Sequence, residues 1–209
     1  IELGKYGLAI ECFDYALAIT PMDSHVLTQK GWAFHKLGKF KDALEYLDRA
    51  IEIDFDFDAF HYRGIVLHEL GKYDAAIECY DRALEIKPDD FFSLYSKANA
   101  LAESGKHEDA ILYFHKALEI NPSNVDTLNN IGVSLECLGK HEDAIMFYDK
   151  AFSIVPNDAK LLFNKAGALF DLKKFTEAKS MITKVLQIEP DYTGATELLE
   201  QINKQLSIK

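Results

Sequence analysis

The sequence predicts an all-α solenoid of stacked helix pairs, and three regularities predict it. A block reading Leu70-Gly71-Lys72-Tyr73-Asp74-Ala75-Ala76-Ile77 recurs in close variants around Gly4, Gly38, Gly105, Gly139 and Lys173, at separations of 34, 33, 34, 34 and 34 residues. A fixed period of that size means one supersecondary unit stacked on its own copies. All five prolines (Pro21, Pro88, Pro122, Pro156 and Pro190) fall at one phase of the period. Small residues also keep phase: Ala9, Ala43, Ala76, Ala110, Ala144 and Ala178 in one row, and Gly31, Gly64, Ala98, Gly132 and Ala166 in another.

Taken in order, residues 1–23 supply only the second half of a unit, with an amphipathic run over Leu8–Ile19. Full units follow at 24–56, 57–90, 91–124, 125–158 and 159–192, and 193–209 form a capping helix whose open side carries Glu197, Glu200, Gln201 and Lys204. The whole of 1–209 reads as a single domain. In unit 57–90 the first helix carries Phe60, Gly64 and Leu67 at helical spacing, and the second carries Ala76, Ile77, Tyr80, Ala83 and Leu84. Gly71 between them suits the left-handed residue that ends a helix. Proline after the second helix forbids its continuation. Unit 24–56 has Phe55 instead and is one residue short, so an altered joint is expected there. The rows of Gly and Ala mark where helices touch, because only a minimal side chain lets two backbones approach in a densely packed core. The chain starts at Ile1 inside a repeat, and is expected to be a piece of a longer protein.

Composition narrows the function. The 209 residues are 48% hydrophobic and 27% charged, enough for a substantial core. A net charge of -11 argues against nonspecific binding to nucleic acid or to an anionic membrane. Cys12, Cys79 and Cys137 have no zinc-ligand spacing, and Cys12 and Cys79 stand two repeats apart, beyond disulfide reach. Free thiols in a reducing compartment, the cytoplasm, are expected.

Period, glycines, alanines and prolines together resemble the tetratricopeptide repeat (TPR) family over essentially the whole chain. The resemblance implies a right-handed superhelical solenoid of stacked antiparallel helix pairs, with the first helices lining a concave groove that binds proteins. Lys30, Arg63, Lys97 and Lys165 depart from it, standing where the family usually has leucine. Asn99, Asn130 and Lys160 occupy three of the five places of the family's carboxylate clamp, but Tyr95 and Asn164 replace its other two cations, so chaperone-tail binding is not expected. Asn130 and Asn164 also resemble the asparagine ladder of a repeat-bearing glycosyltransferase, a run that Gln29, Tyr62 and Ser96 break.

No catalytic apparatus is expected: the chain has no phosphate loop, dinucleotide fingerprint or nucleophile elbow. His107-Glu108-Asp109-Ala110 and His141-Glu142-Asp143-Ala144 lack the second zincin histidine, and both histidines take the place of the turn aromatics Phe40 and Tyr73. His25, His35, His61 and His68 lie on first helices with nothing in the sequence to complete a metal shell, so no cofactor or metal is implied. The unusual cations do have counterparts. Asp14 precedes Lys30, Asp48 precedes Arg63, Asp81 precedes Lys97 and Asp149 precedes Lys165, each by 15 or 16 residues. Where the cation is lost, at Ile131 and Leu199, the acid is also lost, to His115 and Thr183. This covariation predicts partly shielded ion pairs between successive repeats.

The expected function is a protein–protein interaction scaffold, not an enzyme, holding a neutral or basic peptide segment or helix in its groove. The residues expected to line it are His25, Trp32, His35, His61, Tyr62, His68, Phe92, Tyr95, Asn99, Asn129, Asn130, Lys160, Phe163 and Phe170. Trp and Tyr dominate binding hot spots. Asp58, Glu69, Glu103, Asp126, Glu136 and Asp171 on the same face, against Lys36 and Lys160, set the sign of the partner's charge. The alternative is a passive spacer or self-association module of a larger protein. The run Leu8–Ile19 lacks a first helix to cover Ile10 and Phe13, so that end is expected to pack on another chain or to fray.

Overall fold

The computed structural model describes residues 2–207, with side chains from Gly4 onward. Ile1 and residues 208–209, counted above in the half repeat and the cap, lie outside the described residues. Among the described residues there are twelve helices and no strand. The helices group into two compact units, one ending at Gly105 and one beginning at Lys106.

The first unit holds α1 (Glu2–Ile19), α2 (Ser24–Lys36), α3 (Phe40–Ile53), α4 (Phe57–Glu69), α5 (Tyr73–Ile86) and α6 (Phe91–Glu103). The second holds α7 (His107–Ile120), α8 (Val125–Cys137), α9 (His141–Ile154), α10 (Ala159–Asp171), α11 (Phe175–Ile188) and α12 (Ala195–Ser207). Even-numbered helices are the first members of their repeats, and each packs on the odd-numbered helices before and after it within its unit.

Local chemistry sets the boundaries. Every first helix from α2 to α10 opens on an Asp or Asn whose side chain accepts the N–H of the third residue in: Asp23 from Val26, Asp56 from Ala59, Asp90 from Ser93, Asn124 from Thr127 and Asp158 from Leu161, at 2.7–3.0 Å. Such a cap is worth about 1 kcal/mol. Each first helix ends two residues before a residue in the left-handed region, glycine at 38, 71, 105 and 139 but Lys173 (φ 60°) in the last repeat. The prolines lie two residues beyond the ends of α1, α5, α7, α9 and α11. At the short joint, exposed Phe55 packs edge-on against Phe60, 4.8 Å between ring centres, and Asp56 starts α4 at once.

The small-residue rows are the seams. Ala43, Ala76, Ala110, Ala144 and Ala178 are fully buried. A Cβ on Gly64 would lie 2.6 Å from Cε1 of buried Tyr80, and one on Gly31 would lie 2.7 Å from Leu47 Cγ, so neither position has room for another carbon.

All four expected inter-repeat pairs form. Lys30 reaches Asp14, Lys97 reaches Asp81 and Lys165 reaches Asp149, while Arg63 Nε donates to Asp48 Oδ1 at 2.6 Å. Each joins a second helix to the next first helix. The shielding falls on the cation: Lys30 is 3% exposed and Asp14 is 60% exposed. Lys30 Nζ also donates to Tyr46 Oη at 2.9 Å, and Arg63 Nη1 to the sulfur of buried Cys79 at 3.0 Å. Where the pair is missing, Ile131 is fully buried.

The N-terminal end differs from expectation. α1 begins at Glu2 and runs without a break through Gly4 and Gly7, so Gly4 is not the turn residue its counterparts are. Ile10 and Phe13 are half-buried. The large apolar side chains left open are Leu8, Tyr15, Ile19 and, just beyond the helix, Met22.

Candidate functional site

In the first unit, α2, α4 and α6 present their side chains side by side, and polar and aromatic bridges link each helix to the next. Trp32 stacks on Tyr62 with 4.4 Å between ring centres and on His35 at 4.7 Å, and Lys36 Nζ sits 4.1 Å from the Trp32 ring centre. Trp32 and Tyr62 are therefore half-buried against each other, and burial near Asp58 raises the Tyr62 phenol above its ordinary pKa. Tyr95 stacks on Phe91 at 5.9 Å. Phe92 is 66% exposed and His25 is also exposed; His68 and Asn99 are half-buried.

Two of the expected groove histidines in this unit are packed away. Buried His35 has Nε2 2.9 Å from Glu69 Oε1, and buried His61 has Nδ1 2.8 Å from Ser93 Oγ. Burial, opposed by Asp90 and Asp58 and assisted by Lys87, holds the His61 pKa below its ordinary value. His68 Nε2 lies 3.4 Å from Glu103 Oε2 without a hydrogen bond. Each histidine at the end of a first helix thus meets the carboxylate that ends the next. Glu69 and Glu103, expected as acids of the groove face, stay exposed while they meet these histidines. Their recurrence 34 or 35 residues after a histidine was the available signal.

In the second unit the first-helix face is built by α8, α10 and α12. Asn129 is buried, and its carbonyl accepts from Asn164 Nδ2 at 2.8 Å while its amide donates to Asn130 at 3.2 Å. These asparagines are engaged with one another, and Lys160 is exposed. Phe163 packs on Tyr192 at 5.1 Å and Phe170 on Phe175 at 5.4 Å. Two cavities flank Phe163. One of 380 Å³ is lined by Phe163, Phe170, Glu136, Asp171, Glu197 and Gly167 among others, with no lysine or arginine. The other, of 490 Å³, is lined by Lys160, Asn164, Glu189, Asp191 and Tyr192. A third grouping was not foreseen: the ligand-capable atoms of Glu136, His141 and Asp171 lie within 4.8 Å of one another.

The cysteines are free, with Cys79 buried and Cys12 and Cys137 exposed. No described helix is long and apolar enough to cross a membrane.

Family models described as tetratricopeptide repeat match residues 25–57, 57–90 and 92–124, and two further models of that description match 113–146 and 138–202. The chain belongs to the tetratricopeptide repeat family, whose fold supports a protein–protein interaction scaffold. No curated protein matches the chain. Among solved structures it is similar to YrrB, described as a TPR protein with an unusual peptide-binding site, at 20% identity and TM-score 0.79 over 90% of this chain and 97% of that one. It is also similar to MamA from Desulfovibrio magneticus RS-1, at 20% identity and TM-score 0.77 over 81% of this chain and 97% of that one. A chain of the APC/C hetero-tetramer Cut9-Hcn1 aligns at 18% identity and TM-score 0.72 over 95% of this chain and 40% of that one. These likenesses establish the TPR solenoid fold.

Proposed function

We propose that the chain is a cytoplasmic scaffold whose first-helix face holds a neutral or basic peptide segment or helix of another protein. The observation that carries this reading is the 380 Å³ cavity beside Phe163, where two aromatic walls meet Glu136, Asp171 and Glu197 with no basic side chain in the lining. Apolar walls supply area for an anchor side chain, and the carboxylates favour a cation at its end and oppose an acidic one. In the first unit, exposed Phe92 beside Phe91 and Tyr95 offers a second aromatic contact. A TPR protein with a peptide-binding site among the similar structures fits this reading, and three free thiols fit a reducing compartment.

Fluorescence anisotropy with labelled peptides tests it. Paired peptides share one apolar anchor pattern and carry either Lys/Arg or Asp/Glu around it. The basic member should bind, and Phe163→Ala should weaken it by about tenfold or more, the loss expected of one anchor. An acidic peptide that binds as well, or affinity untouched by both Phe163→Ala and Tyr95→Ala, would sink the assignment. Tyr62→Ala is a poor probe, since it strips the stack from Trp32.

One observation favours self-association as a second reading. Leu8, Tyr15, Ile19 and Met22 are 64%, 76%, 83% and 70% exposed along one end of the chain. A chain that sediments as a monomer at millimolar concentration would remove that reading.

A further inference from the structure

Three structurally equivalent positions recur in each repeat: the end of a first helix, the start of its second helix, and the end of the next first helix. In the first unit they hold His35, Phe40 and Glu69, and again His68, Tyr73 and Glu103. Each of those sets has one imidazole nitrogen facing one carboxylate. In the second unit the set is Glu136, His141 and Asp171, on α8, α9 and α10. The chemistry is rearranged. Two carboxylates now converge, and the imidazole comes from the middle position.

His141 Nδ1 is closed off from water and hydrogen-bonds to nothing, as are His35 Nδ1, His68 Nε2 and His107 Nδ1, but here the nitrogen lies 3.9 Å from Asp171 Oδ2 with a second carboxylate beside it. A nitrogen left so costs free energy unless something binds it. Glu136 is half-buried and its Oε2 accepts from the hydroxyl of fully buried Tyr148, which fixes the direction of the carboxylate.

We propose that Glu136, His141 and Asp171 form a binding site for a divalent transition-metal ion. Two carboxylates and a neutral imidazole offer a charge of −2 and a mixed oxygen–nitrogen donor set. Imidazole turns that set toward Zn²⁺ and its neighbours and away from Mg²⁺ and Ca²⁺, which prefer oxygen alone. Nitrogen and oxygen ligands stand about 2.0–2.2 Å from Zn²⁺, so two ligand atoms of one ion are at most about 4.4 Å apart. The His141–Asp171 separation of 3.9 Å already meets that limit, and the 4.8 Å span of the whole set exceeds it by less than an ångström. Tyr148 would be the outer partner that orients a ligand carboxylate. The ion would tie the ends of three helices together; it would draw on Glu136 and Asp171, which also line the 380 Å³ cavity, but its binding is measurable without a peptide.

The test is calorimetric titration of the whole chain with Zn²⁺, and with Co²⁺ followed by its visible absorption. One ion per chain should bind, with a rise in the thermal midpoint and no comparable binding of Mg²⁺. His141→Ala and Asp171→Asn should each abolish the binding or weaken it at least about tenfold, and Tyr148→Phe should weaken it about ten- to hundredfold. His35→Ala removes the histidine of the corresponding set in the first unit, where it stands at the place of Glu136, and should leave the binding intact. Asp171 is exposed, so Asp171→Asn keeps the test decisive should Tyr148→Phe disturb the core. Absence of saturable Zn²⁺ binding overturns the proposal. So does binding unchanged in His141→Ala, binding lost equally in His35→Ala, or Mg²⁺ binding as tightly as Zn²⁺.

Discussion

The Lys30–Asp14 pair can be weighed quantitatively. Lys30 is 3% exposed, and its ammonium sits between the Asp14 carboxylate and Tyr46, whose oxygen is 2.9 Å away and whose ring centre is 4.0 Å away. Two unit charges 4 Å apart attract by about 4 kcal/mol at an effective dielectric near 20. Desolvating the ammonium takes back a large part of that, and the 60% exposure of Asp14 lets water screen the rest. Asp14→Asn keeps the volume and removes the charge, leaving a buried ammonium with only neutral acceptors, the amide oxygen and Tyr46. The expected loss is about 1–3 kcal/mol, above the ~0–1 kcal/mol of an exposed pair and below the ~3–5 kcal/mol of a fully buried one. Lys30→Met removes the ammonium whose burial made the acid necessary, so the double variant should recover part of the loss. Guanidinium unfolding of the two single variants and the double variant gives the coupling energy directly. The Asp149–Lys165 pair, whose lysine is 22% exposed, should couple more weakly. A coupling below about 0.5 kcal/mol at Asp14–Lys30, or a larger one at Asp149–Lys165, would refute the assignment of shielding to the cation. Burial lowers the Lys30 pKa, but hydrogen bonds to Asp14 and Tyr46 outweigh it, and the pKa ends above its ordinary value of 10.5. The stability contributed by that shift is complete below pH 10.5 and is lost as pH rises through the higher folded value, so the wild-type advantage over Lys30→Met should shrink only at strongly alkaline pH.

Two further outcomes are expected. Lys173→Gly should stabilise the second unit by about 0.5–1 kcal/mol, because Lys173 holds φ 60° where the other repeats place glycine; a fall in the thermal midpoint would contradict this. Burial depresses the His61 pKa below 6.5, so the folded state resists a proton that the unfolded chain accepts, and stability should fall as pH drops below about 6.5; His61→Gln should flatten that decline, and an unchanged slope of thermal midpoint against pH would contradict it.

The sequence exposed most clearly whatever repeats. Period, turn, proline and small-residue phases define the helix pairs because every repeat meets the same packing problem, and the ion pairs were legible because acid and cation vanish together at His115–Ile131 and Thr183–Leu199. The helix caps Asp23, Asp56, Asp90, Asn124 and Asp158 were equally periodic, and their regularity was an unused signal. Features set by one repeat alone were not legible. Nothing local says that α1 runs through Gly4, because that depends on what packs against the turn. Nor does spacing show that His35 and His61 sink between helices while Phe92 stays open. Periodicity assigns a position to a face, and the neighbour's side chain decides how deep it lies.

The same distinction explains why groove chemistry varies so much within one chain. The seams tolerate only exchanges that conserve volume in pairs: Gly64 lies against Tyr80 and Gly132 against Tyr148, while Ala166 packs in one cluster with the smaller Ile182. Two residues must change together there, so the seam resists drift. The ends of the first helices face no such constraint. The position that carries His35 and His68 carries Glu136 and Phe170 in later repeats, and its neighbour in the next repeat carries Glu69, Glu103 or Asp171. Each exchange alters charge and hydrogen bonding at the surface without disturbing the alanine rows. A fixed seam with a freely varied rim lets one backbone period hold histidine–carboxylate pairs in one unit and a two-carboxylate, one-histidine set in the other, and it is at this rim that differences between repeats carry information about ligands.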